Sequence, residues 1–233
     1  MKHPVLALVV IAALSGAAVP AQPASSSARE AVEHMLARIL RAPEFASRVL
    51  ITRSDPFGGP DEVTEGRVWF LPGRGLRFRS MERGGEDIVV DKEKGSFLMY
   101  RPSERTVYRA DWESAPARMR QLVMEPERLL EADYRAVRER RRVAGAWREG
   151  YRLHRASPGD SLPNLSVWLA ADPSTGFPRW LAAGGDEDSV EVEFRQITIA
   201  AKANPRDLVL HLPRDVRTVP LDAKELLRDG ESR

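Results

Sequence analysis

The stretch from Gly66 to Arg109 constrains this chain more than any other. It reads GRVWFLPGRGLRFRSMERGGEDIVVDKEKGSFLMYRPSERTVYR, short runs of alternating apolar residues divided by Pro-Gly, Gly-Gly, Lys-Gly and Pro-Ser-Glu. Punctuation of this kind spells consecutive antiparallel strands joined by tight turns. Val68 and Phe70, Leu76 and Phe78, Ile88 and Val90, and Phe97 and Met99 fall on one face, while Arg67, Arg77, Arg79 and Glu86 mark the other. A period of two gives such a meander one apolar side and one wet side. What covers the apolar side then decides what the protein can do.

The rest of the chain reads as attachments to that meander. Ser27 can cap a helix with Glu30 as its capping-box partner, and Ala31, Met35, Leu36, Ile39 and Leu40 recur at helical spacing until Pro43 stops it. Strands are expected at Phe45–Arg53, Asp133–Val143, Gly145–Ala156, Leu165–Ala171, Phe177–Ala183, Ser189–Ala200 and Leu208–Leu212. Between Trp112 and Leu130 the period changes to helical, with Pro116 in a first turn and Met119, Leu122 and Val123 on one side. About 11 strands without parallel crossovers must curl or close. The expected fold is therefore mainly β with an α lid: an unclosed antiparallel β-barrel covered by short helices.

At the N-terminus, Lys2 and His3, the apolar run Val5–Leu14 and the small residues up to Ala21 read as a secretory signal over residues 1–21. The apolar run is about half the roughly 20 residues that a spanning helix needs. Residues 22–28 read as a Pro/Ala/Ser linker and 29–233 as one domain. The chain contains no Cys, so an exported product would have no disulfides and no lipidated N-terminal Cys. Its formal net charge of +2 is spread over an interspersed surface. One basic cluster stands out, Arg138, Arg140, Arg141 and Arg142, and it reads as the wet face and tip of a strand.

Signals for catalysis are weak. Gly159-Asp160-Ser161-Leu162 spells the start of a serine esterase signature, yet it lies mid-chain between strand-like segments, and the late His211 has Leu208 three residues before it. A Pro-Gly-Asp-Ser turn accounts for those residues. His34, His154 and His211 stand alone, without ligand spacing and without Cys, so no zinc site is supported. Glu191 and Glu193 read as a solvated strand face. Neither an enzyme nor a cofactor is expected. The apolar concavity remains, lined by Val68, Phe70, Leu76, Phe78, Ile88, Val90, Phe97 and Met99, with Met119, Leu122 and Val123 above it: a filled core or a pocket for an apolar ligand.

The chain resembles the periplasmic outer-membrane lipoprotein carrier family, LolA, together with its receptor LolB and the RseB-type sensor domain. The residues that carry the likeness are Gly66-Arg67-Val68-Trp69-Phe70 followed by Pro72-Gly73 and Leu76-Arg77-Phe78, then Trp168-Leu169 with Asp172-Pro173, Gly176 and Pro178, and finally Leu208–Pro213 with Val216. The resemblance implies a cavity for acyl chains, a soluble, unlipidated periplasmic monomer, an acylated lipoprotein or lipid as partner, and an inner-membrane donor and an outer-membrane acceptor. It equally admits a sensor or regulatory module of the same fold. In the carriers an Arg before the Pro of the first motif latches the lid. Here that position is Leu71, and Arg74 and Arg77 are the substitutes within reach.

Overall fold

The computed structural model describes residues 26–55, 57, 59–111, 113, 134–155, 167–184 and 189–221. Helix α1 (Ser26–Leu40) leads into β1 (Glu44–Arg53), β2 (Glu62–Leu71), β3 (Gly75–Ser80), β4 (Asp87–Asp91), β5 (Ser96–Arg101) and β6 (Thr106–Asp111). A second series follows: β7 (Tyr134–Val143), β8 (Ala146–Arg155), β9 (Val167–Ala171), β10 (Pro178–Gly184) and β11 (Ser189–Ala200), with β12 (Arg217–Pro220) last. All belong to one 12-stranded sheet ordered β12-β6-β5-β4-β3-β2-β1-β11-β10-β9-β8-β7. Two up-and-down meanders are thus joined where β1 pairs with β11, and the sheet stays open between β12 and β7. The barrel is unclosed, as expected.

The meander from β2 to β6 follows its sequence pattern closely. Phe70 opposes Leu76, Val68 opposes Phe78, Val90 opposes Phe97 and Ile88 opposes Met99, so the apolar residues meet across strands on one face. All eight are buried at 6% exposure or less. The helix begins at Ser26, inside the stretch read as linker, and buries Ala28, Val32, Met35, Leu36 and Leu40 along one stripe. The stripe packs into the same cluster as the eight sheet residues. The segments expected to be helical over 112–131, apart from residue 113, lie outside the described residues, as do residues 1–21 and Ser161.

Two expectations are corrected. Leu208–Leu212 is not a strand of the sheet: Pro205–Leu208 forms a short 3₁₀ turn, started by the Asn204 side chain accepting from the Arg206 N–H, and the chain then runs on extended at Val209. Its alternation is real, but the layer differs. Leu208 and Leu210 pack down on Leu71 and Val89, so the segment lies across the sheet instead of within it. The last strand among the described residues is β12, and it pairs parallel to β6, from Arg217 beside Thr106 to Pro220 beside Arg109. Glu86, read as a wet-face residue, is instead largely buried at 14% exposure and bonded to Arg101.

Candidate functional site

The helix-covered inner face carries apolar residues from every strand between β1 and β11. Phe45, Val49 and Ile51 join from β1, Ala110 from β6, Ala136 from β7, Leu153 from β8, Val167 and Leu169 from β9, Leu181 from β10, and Val190, Val192 and Phe194 from β11. Strands spaced about 4.8 Å apart make this face on the order of 50 Å across, whereas one helix covers a band about 10 Å wide. Helix α1 alone is narrower than this face, yet all of these side chains are buried at 9% exposure or less. In the same cluster Tyr134 of β7 packs under α1 with the Arg29 guanidinium 5.0 Å from its ring centre. Its hydroxyl is buried without a hydrogen-bond partner, and burial pushes its pKa up to about 12.

One rim of the inner face is polar. Arg101, two residues beyond Met99 in β5, donates to Glu86 at 2.7 Å and to Glu104 at 3.4 Å, and stacks 5.1 Å from the ring centre of Tyr108. The Tyr108 hydroxyl in turn donates to Glu104. Burial outweighs the Arg101 charge at Glu86 and raises its pKa to about 7.

The outer face has two covers of different kinds. Over β2–β4 lies the strap at 204–210. Arg77, buried at 6% exposure, makes a bidentate pair with Asp87, Nε to Oδ1 at 2.8 Å and Nη2 to Oδ2 at 2.6 Å, and its Nη1 donates to the carbonyls of Asp207 and Val209. Over β9–β11 lies the distal half of the β7–β8 hairpin. That hairpin pairs from Tyr134 with Arg155 to Val143 with Ala146 and turns through Ala144 and Gly145, both at positive φ. Only Tyr151–Leu153 of β8 are paired with β9, so the distal part leaves the sheet and lies back on it. Val143 is buried with Trp168, Ala170, Trp180 and Ala182, and the Trp168 indole donates to the Glu139 carbonyl at 3.3 Å. Arg148 stacks 4.4 Å from the ring centre of Trp180. Gly150 permits the approach, since a Cβ there would sit 2.5 Å from both the Trp168 ring and the Leu169 carbonyl.

These contacts place the expected latch residues. Leu71 is 1% exposed on the outer face beneath Leu208, away from the inner apolar cluster. Arg74 sits in the β2–β3 turn, paired with Glu93 at 2.9 Å. Arg77 is committed to Asp87 and the strap, so the physical task found for it is fastening the strap; alternation along β3 points it away from Leu76 and Phe78. Met119, Leu122 and Val123 lie outside the described residues. Of the basic cluster, Arg138, Arg140 and Arg142 share the exposed face of the hairpin, while Arg141 turns under it towards Glu191. Glu191 and Glu193 are not a plain solvated face either: Glu193 holds Arg179 and Arg195.

A cleft of about 620 Å³ opens where β1 and β11 are out of register, at Gln196 with φ 50°. Its apolar lining is Phe177, Phe194, Ile197 and Ile199, and its polar lining includes Arg48, Glu65, Asp172, Arg179 and Arg195. Phe194 belongs to the inner cluster, edge-on to Phe45 at 5.9 Å. The ionic wall is internally paired, Arg48 to Glu65 and Arg179 to Asp172. Donation from the Ser174 hydroxyl and from Arg179 holds the Asp172 carboxyl well below the usual carboxylate range. Helix α1 reaches this rim through Arg38, which donates to the Thr175 carbonyl and stacks 4.1 Å from the ring centre of Phe177. The Asp172–Phe177 turn and the register shift were not singled out by sequence reasoning as a site. The Asp-Pro-x-x-Gly-x-Pro pattern was the signal available.

Among the described residues no group of three or more His, Cys, Asp or Glu is arranged to hold a metal ion. No described helix is long and apolar enough to cross a membrane.

No protein-family profile matches the sequence, and no curated protein matches it. Solved structures do. An uncharacterized conserved protein from Thermus thermophilus aligns over 84% of this chain and 100% of its own, with a TM-score of 0.51 and 13% identity. A chain of the MucA/MucB complex of Pseudomonas aeruginosa aligns over 80% of this chain at TM-score 0.46 and 16% identity, and the alignment spans 62% of that chain. A LolA superfamily protein from Nitrosomonas europaea aligns over 82% of this chain and 99% of its own, at 0.40 and 9%. The likeness is one of fold.

Proposed function

We propose that this protein binds lipid: it holds the acyl chain of a lipoprotein or of a free lipid against the inner face of β2–β6 and carries it across the periplasm towards the outer membrane. The observation that supports this reading is the apolar inner face itself, continuous from β1 through β11. Each methylene removed from water is worth about 0.8 kcal/mol, so a long acyl chain gains on the order of 10 kcal/mol on entering such a face. The role is binding, without a catalytic step. The cleft beside Phe194 is the mouth: its apolar floor suits the chain and its ionic wall suits the polar group at the chain's end. Export through the signal at residues 1–21 would deliver the protein to a compartment where acylated cargo needs such shelter.

Native mass spectrometry of the protein purified from cells, followed by uptake of a fluorescent fatty acid after delipidation, tests this. Co-purified acylated species or saturable uptake is expected. Met119→Asp and Leu122→Asp, in the stretch read as lid, should lower uptake about tenfold or more with the melting temperature preserved. Absence of both bound lipid and uptake removes the reading. A ligand that binds but never passes to acceptor vesicles moves it to the sensor alternative.

A further inference from the structure

Beyond Ala136, Leu153 and Tyr151, the strand face that carries the inner cluster continues along the distal β7–β8 hairpin and there turns to solvent. Arg138, Arg140 and Arg142 alternate along β7 and are all exposed, and across the ladder Arg138 opposes Tyr151, Arg140 opposes Glu149, and Arg142 opposes Trp147. Trp147 is 61% exposed, with the Arg140 guanidinium 5.9 Å from its ring centre. The one carboxylate on this face, Glu149, is taken by Arg138 at 2.5 Å. Arg140 and Arg142 have no carboxylate partner among the described residues. Three guanidinia, one carboxylate and one exposed indole therefore share a ribbon whose underside is fixed by Val143, Trp168 and Trp180.

We propose that this ribbon docks the protein on an anionic bilayer surface. Exposing an indole in water gains nothing for the fold, and its neighbours here are cations, which do not hide it. Arg and Trp are common at protein interfaces too, but there they surround an apolar, charge-depleted core, whereas here Arg140, Arg142 and Glu149 flank the indole. The ribbon offers one indole in a ring of charge, and that is the composition suited to the headgroup zone: guanidinia bind lipid phosphates, while an indole settles at the boundary between headgroups and acyl chains. Gly150 lets the hairpin lie directly on Trp168, so the backbone that sets the cations in a row is ordered before binding. The docking surface is the exposed continuation of the inner face past Tyr151.

The test uses the full mature chain with vesicles of phosphatidylcholine alone and of an equal mixture of phosphatidylcholine and phosphatidylglycerol. Flotation should recover the protein with the mixed vesicles only, less so as salt is raised. Arg140→Glu with Arg142→Glu should weaken that binding at least about tenfold. Trp147→Ala should weaken it several-fold and abolish the part of the tryptophan quenching by brominated lipid that depends on that indole. Arg83→Glu with Arg214→Glu reverses as much charge on other exposed turns and should leave binding unchanged. Unchanged melting temperature and fatty-acid uptake in the hairpin variants show that folding and the inner face are intact. Equal binding to both kinds of vesicle, equal loss in the two double variants, or capture of an acidic protein in place of vesicles overturns the proposal.

Discussion

The two covers on the outer face solve one problem by opposite means. At β2–β4 a strap is held by a buried guanidinium that reaches both Asp87 and two strap carbonyls. At β9–β11 a hairpin is held by area, two indoles pressed between β-layers with Val143. The first is directional and depends on each partner being present, because a buried charge without its counter-ion is costly. The second is close-packed and depends on volume. Small outer apolar patches can be sealed either way, and the choice changes which substitutions are tolerated.

Removing one partner of the ion pair has the largest expected effect. Asp87→Ala should cost about 3–5 kcal/mol in denaturant unfolding, since it strands the Arg77 charge. Replacing both, Arg77→Met with Asp87→Leu, should recover more than half of that loss, because Leu208 at 1% exposure still seats the strap. A double variant as unstable as the single one would show that the guanidinium, and not the strap's apolar area, is the fastening.

The hairpin should respond to volume instead. Gly150→Ala is expected to cost about 3 kcal/mol by overpacking, with a shift in the near-ultraviolet signal of Trp168. A neutral result there would mean that the two layers are loosely apposed.

The smallest effect is a pH dependence that contrasts the Arg77–Asp87 pair with the Arg101–Glu86 pair at the inner rim. Burial raises the Glu86 pKa from the ordinary carboxylate value to about 7, so between those two values the folded state binds more protons than the unfolded state. Stability should thus fall as pH rises through this window and level off above about 7, by about 1–2 kcal/mol once partial exposure is allowed for. Glu86→Gln should flatten the profile, which urea titrations from pH 5 to pH 8 would read.

Much of the sheet was legible because its signals are local. The apolar pairs from Val68 to Met99 repeat with period two, and the turns at Gly73, Gly84 and Gly95 carry positive φ, which glycine adopts without strain. The Ala144-Gly145 turn and the α1 stripe were equally readable. Leu208–Leu212 misled for a physical reason: alternation reports that a segment is extended with one side buried, and an extended strap lying on a sheet satisfies it as well as a strand within one. Glu86 misled because a carboxylate near a turn is ordinarily solvated, and its burial depends on Arg101 from a different strand. The candidate mouth at Phe194 joins residues from β1, β2, β10 and β11, and no spacing rule brings those together.

By itself, then, the sequence determined the alternation that makes the β2–β6 meander, the helix that lies on it and an apolar inner face, because these follow from neighbour-to-neighbour periodicity. Only the tertiary structure decided which outer residues become buried, Leu71 under the strap and Trp168 under the hairpin, and which arginines remain outside in a row. Those outcomes depend on how far the sheet twists and on where two distant segments lie back on it, and they are set by long-range packing that no local pattern encodes.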